Sequence, residues 1–112
     1  MADSTERDPV YLQRVDDLLS NLTEQLDEFD PDEVEAEAAE GVLKVTFADG
    51  ARCVINRQAP AKQVWMAAGA TAWHFLFDPD SNSWVDTKGR GGLRTILGDL
   101  IAQKLGRPTK LT

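Results

Sequence analysis

This chain of 112 residues has one cysteine, Cys53, and one histidine, His74. A lone thiol excludes an internal disulfide and any multi-cysteine metal or cluster site built within one chain. No apolar run approaches the ~20 residues that a membrane-spanning helix needs. The opening stretch from Met1 to Asp8 lacks the apolar centre of a secretory signal and the acid-poor, arginine-rich character of a transit peptide, so a cytoplasmic protein is expected. Also absent are a Ser/His/Asp set, an HExxH and a CxxC. The run Gly89-Arg90-Gly91-Gly92 has neither a preceding strand nor a following Lys-Ser/Thr, so it is not a phosphate-binding loop; a flexible lead-in to the last helix is expected there. These absences argue against an enzyme.

Bases are scarce where acids are dense. Residues 1–40 hold 14 of the 19 acids against Arg7 and Arg14, a net charge of -12, whereas the remaining 72 residues carry +5. Such a dipolar chain repels nucleic acid and anionic lipid, and attracts cations or a basic partner through a field that fades with salt. The length suits a single domain, 1–112, with residues 1–8 expected to be flexible. A core this small leaves function on the surface.

From Pro9 to about Phe29, the residues Tyr11, Leu12, Val15, Leu18, Leu19, Leu22, Leu26 and Phe29 recur at helical spacing within an arc of about 120°. Asp8 before Pro9 is a ready N-cap, and Asp30-Pro31 is the expected stop. The period then changes to two. Val34, Ala36 and Ala38 read as an edge strand with Glu35 and Glu37 outward; Leu43, Val45 and Phe47 follow, and Asp49-Gly50 turns into Arg52 to Asn56. Further strands are expected at 63–68, 71–77 and 84–86. Helical spacing returns at Leu93, Ile96, Leu97, Leu100, Ile101 and Leu105 and stops at Gly106. Helix, short strands, helix predicts an α+β two-layer sandwich: an antiparallel sheet with the N-terminal and C-terminal helices on one face.

Two surfaces stand out. Asp16, Asp17, Glu24, Asp27 and Glu28 share the outer arc of the first helix, and Asp30, Asp32 and Glu33 continue it. Carboxylates one turn apart repel by a few tenths of a kcal/mol per pair, yet no lysine is interspersed. Two readings stand at this point: a solvated helix face, or an all-oxygen surface that takes hard or borderline cations weakly, at several sites and with fast exchange. The second surface is the strand Gln63-Val64-Trp65-Met66-Ala67. With Val64 and Met66 in the core, Trp65 turns outward beside Gln63 as a binding hot spot; a one-residue slip in register would bury it instead. Cys53 reads as a small core hydrophobe and His74 as a hydrogen-bonded strand histidine.

The run Asn56-Arg57-Gln58-x-Pro60-x-x-Gln63-Val64-Trp65-Met66-Ala67 resembles the signature of the frataxin family and its bacterial CyaY-type branch. Leu26-Asp27-Glu28-Phe29-Asp30, Gly41-Val42-Leu43-x-Val45-x-Phe47, Trp73-His74-Phe75 and Trp84 stand around it in the family's order, so the resemblance covers nearly the whole chain. It departs at Thr23, where relatives often carry a further acid, and in a long Asp78 to Ser83 turn. The resemblance implies ferrous and ferric iron bound weakly and exchangeably on Glu24, Asp27, Glu28, Asp30, Asp32 and Glu33. It implies docking on the cysteine desulfurase of the iron–sulfur assembly system, with its scaffold or ferredoxin as further contacts, through Asn56, Gln58, Gln63 and Trp65; Asp16 and Asp17 of the ridge are expected to join that contact. A monomer that oligomerises with iron is expected. Competing readings are an iron-oxidising or iron-storage protein and an acidic decoy for another basic protein.

Overall fold

The first described residue, Asp8, already shows how α1 starts. The structure is a computed structural model that describes residues 8–112, so the flexibility expected of 1–7 lies outside the described residues. Asp8 itself is held in place. Its carboxylate accepts from the backbone N–H of Val10 and Tyr11 at 3.1 Å each and pairs with Lys62 at 3.0 Å. Helix α1, Pro9–Leu26, buries Tyr11, Val15, Leu18, Leu19, Leu22 and Leu26. It ends three residues before Phe29, the expected terminus. The N–H groups of Glu28 and Phe29 bond to carbonyls three residues back, Gln25 and Leu26, which tightens the last turn and takes Asp27 and Glu28 out of the helix proper.

Six strands follow: β1 Val34–Ala39, β2 Val42–Phe47, β3 Arg52–Gln58, β4 Gln63–Ala68, β5 Thr71–Asp78 and β6 Ser83–Asp86. They form one antiparallel meander in sequential order, closed by α2, Leu93–Leu105. The β1–β2 turn places Glu40 and Gly41 both at positive φ, 50° and 79°, as a two-residue hairpin demands. A Cβ on Gly41 would meet the Arg57 side chain at 3.1 Å. Between β3 and β4 a single 3-10 turn, Ala59–Ala61, was not foreseen; it closes on Lys62 at φ 54°.

Both helices cover one sheet face, α1 over β1 and β2 and α2 against β6. Val34, Leu43, Val45, Ile55, Val64, Met66 and Phe75 fill the space beneath them. Cys53 belongs to this core, and burial pushes its thiol up to about 12, which removes it as a nucleophile. The lead-in to α2 is tied down rather than flexible. Asp86 accepts from the backbone N–H of Lys88 and Arg90 and from the Arg90 guanidinium, which also reaches the Ala72 carbonyl at 2.9 Å.

Past Gly106 the chain returns along the helices. Arg107 forks onto Glu33 at 2.9 and 3.0 Å, Leu111 is 9% exposed, and the Thr112 N–H donates to Gln25 Oε1 at 2.8 Å. Gly98 gives the tail its room, since a Cβ there would sit 3.3 Å from the Thr109 carbonyl. Deleting residues 108–112 is expected to cost about 2–3 kcal/mol, most of it from Leu111. Calorimetry should show a midpoint about 10 °C lower. An unchanged midpoint would mean that the tail merely lies on the surface.

Candidate acidic ridge and exposed sheet face

Along α1 and its exit, Asp16, Asp17, Glu24, Asp27, Glu28, Asp30 and Asp32 are exposed. The helix carries no base in its last turn, so Glu24, Asp27 and Glu28 sit at its negative end, where an anion costs about 0.3–1 kcal/mol. Among the described residues, no three His, Cys, Asp or Glu side chains converge as a set of metal ligands. The ridge is thus an open oxygen-rich surface, not a cage.

Several of its members have local duties. Asp17 accepts from Gln13 at 2.8 Å, and Asp30 Oδ1 accepts the Asp32 N–H at 2.9 Å. Glu33 is committed to Arg107, whose hydrogen bonds hold its carboxyl below the usual range. Thr23 is half-buried and donates to the Leu19 carbonyl at 2.6 Å. Beside the ridge, an open groove of about 570 Å³ between α1 and the β1–β2 turn is lined by Asp16, Glu24 and Glu40.

On the opposite layer, Asn56, Gln58, Gln63 and Trp65 form one contiguous block. Asn56 pairs with Trp65 and Gln58 with Gln63 across β3 and β4, and opposed residues of an antiparallel pair share a face. Val64 and Met66 are buried, which confirms the expected register and turns Trp65 outward. Its indole is locked: Nε1 donates to Gln63 Oε1 at 2.7 Å, and the ring stacks on His74 at 4.1 Å and 11°. The histidine is therefore a stacking partner.

Two residues of this face escaped the sequence reading. Leu76, 43% exposed, lies opposite Gln63, and Val42, 37% exposed, lies opposite Asn56. Their signal was the alternation itself, since Trp73 and Phe75 point inward and so send His74 and Leu76 outward. Asp16 and Asp17, by contrast, lie on α1 and not beside Trp65. The bridge between the two surfaces is edge strand β1, whose Glu35 and Glu37 are exposed opposite Thr46 and Lys44 and carry negative charge around the edge.

Comparison with known proteins gives the same outline. The profile of the frataxin-like domain matches residues 4–107. The chain is 30% identical over 104 residues to the iron-sulfur cluster assembly protein CyaY of Paraburkholderia phymatum, covering 93% of this chain and 96% of that protein. To CyaY of Cupriavidus metallidurans it is 35% identical over 92 residues, with 82% and 80% covered. Among solved structures, frataxin from Psychromonas ingrahamii superposes with a TM-score of 0.84 at 24% identity, covering 94% of this chain and 97% of that one. Trimeric frataxin from the yeast Saccharomyces cerevisiae, complexed with ferrous, gives 0.73 at 26% identity, covering 84% and 87%.

Proposed function

The chain belongs to the frataxin family, in company with bacterial CyaY proteins, and from that premise we propose that it is a non-catalytic, iron-binding regulator of iron–sulfur cluster assembly. It works in the cytoplasm and docks on the cysteine desulfurase. The observation that carries this reading is the placement of Glu24, Asp27 and Glu28 at the unfavourable end of α1 with no base in its last turn. Repulsion among them and with the helix dipole destabilises the free protein, and a cation relieves it. Ferrous and ferric iron accept such oxygen ligands, and without a cage they exchange readily. Asp30 and Asp32 extend the same surface; Glu33 would have to leave Arg107 to join it.

Docking follows from the same charges. The acidic ridge steers the protein toward a basic groove, and Trp65 with Asn56, Gln58 and Gln63 supplies the close-packed contact. Iron on the ridge lowers the charge that the partner meets, which couples docking to iron supply. Among the described residues, no helix is long and apolar enough to cross a membrane. The free protein is read as a monomer that oligomerises with iron, and the trimeric yeast relative complexed with ferrous supports an oligomeric higher state.

The test is a ferrous titration, under anaerobic conditions, of the parent and of the triple variant Glu24→Gln, Asp27→Asn, Glu28→Gln. Paramagnetic broadening in the parent should centre on residues 24–32. The variant should bind about tenfold more weakly, yet melt a few degrees higher, since about 1–2 kcal/mol of repulsion is removed. Undiminished iron binding would sink the assignment of the ridge.

A further inference from the structure

The flank of α1 that faces away from the β1–β2 turn carries the opposite charge from the ridge. Arg14 on α1 and Arg94 in the first turn of α2 line one cleft of about 280 Å³, closed on its third side by the β5–β6 hairpin. Among the described residues, the bases that form ion pairs are Lys62, Arg90, Lys104 and Arg107. Arg14 and Arg94 form none with the described residues.

Arg94 is half-buried, and a half-buried guanidinium without a counter-anion is an unusual expense in a chain this rich in carboxylates. One of its groups is satisfied: Nη2 donates to Asn21 Oδ1 at 2.7 Å. Its Nε is walled off from water with no partner, and burial draws the side chain below its ordinary pKa. The Arg14 guanidinium carbon sits over the Phe77 ring, 4.1 Å from its centre, a contact that does not use its N–H groups. Asn82, held at φ 52° in the long turn after β5, and the wall of Trp84 complete the cleft. Asp17 is its one carboxylate, and it already accepts from Gln13.

We propose that this cleft binds a small multivalent oxyanion bearing carboxylate or phosphate groups, held between the guanidinium groups of Arg14 and Arg94. Planar N–H forks match either group, and the volume is just below the ~300–1,000 Å³ of pockets for larger ligands. Two arginines against one aspartate leave only a local excess of about one positive charge within an acidic protein. Binding is therefore weak and falls with salt. The site lies on the other flank of α1 from the groove lined by Asp16 and Glu24, and Asp17 is the one ridge acid that lines it.

The experiment titrates the isotope-labelled full chain with citrate and, separately, with pyrophosphate at constant ionic strength, following the Trp84 indole and the Asn21 and Asn82 amides by NMR. Saturable shifts at these groups are expected, and whichever anion saturates at lower concentration identifies the source. Arg94→Gln should weaken binding at least tenfold and Arg14→Gln several-fold. Asp17→Asn should strengthen it several-fold, an effect that a misfolded variant cannot imitate. Arg52→Gln, an exposed base on β3, should change nothing. Shifts that stay linear with both anions, or equal binding by the parent, Arg14→Gln and Asp17→Asn, would overturn the proposal.

Discussion

Replacing Asp27, Glu28 and Asp30 together by lysine is expected to abolish binding to the bacterial cysteine desulfurase at moderate salt while the far-ultraviolet spectrum stays that of the parent. All three side chains are exposed and none has an ion-pair partner among the described residues, so the fold loses little beyond the Asp30 to Asp32 turn bond. Encounter loses more. Three negative charges become three positive ones at the end of α1, and steering by such a patch acts over about 10 Å at 0.1 M salt. Surface-plasmon measurements between 50 and 200 mM salt should show a parent whose association slows with salt and a variant that does not bind. Trp65→Ala provides the contrast: dissociation should quicken at least tenfold with the salt dependence intact, since the proposed docking puts the indole in the packed contact and not in the approach. Unchanged affinity of the lysine variant would refute electrostatic docking even if the family assignment stands.

The features that decide these outcomes differ in how openly the chain displays them. Trp65 was placed correctly because Val64 and Met66 flank it; two obligate core residues at i-1 and i+1 leave one register for the strand. The buried stripe of α1 was legible for the same reason, being periodic and long. Its end was not. Phe29 continues the apolar period after Leu26, and only the 3-10 hydrogen bonds of Glu28 and Phe29 reveal that the helix has closed. Pairings remote in sequence left no trace at all. Glu33 counts with the ridge acids until Arg107 is seen to fork onto it, and Arg94 is an ordinary helix residue until the fold lays Asn21 and Arg14 beside it. Nor does the glycine-rich run 89–92 announce its order, since that comes from a side chain before it, Asp86.

The acidic ridge and the tied loop are opposite uses of the carboxylate. On the ridge, charges are placed where neither a base nor a helix dipole stabilises them, and the free protein is less stable for it. At the far end of the sheet, one buried carboxylate receives every donor within reach. The two sites lie on different elements and share no hydrogen bond, so they can be separated by mutation.

Asp86→Asn is therefore expected to destabilise the protein by about 2 kcal/mol at pH 6, with a midpoint about 10 °C lower and iron binding unchanged. The carboxylate is 5% exposed and accepts four hydrogen bonds, from Lys88 N–H at 3.2 Å, Arg90 N–H at 3.0 Å, and Arg90 Nε and Nη2 at 2.8 and 3.1 Å. The Arg90 side-chain bonds outweigh the effect of burial and lower its pKa from 3.8 to about 2. Because the folded value is depressed, the stabilisation is complete above the unfolded value near 4 and is lost as pH falls through about 2. Urea unfolding of the parent and variant should accordingly differ by about 2 kcal/mol at pH 6 and by only a few tenths at pH 2. A gap that stays constant with pH would place the contribution of Asp86 in packing and neutral hydrogen bonding. A gap that closes as described assigns it to the ionised clamp that holds the start of α2 against the sheet.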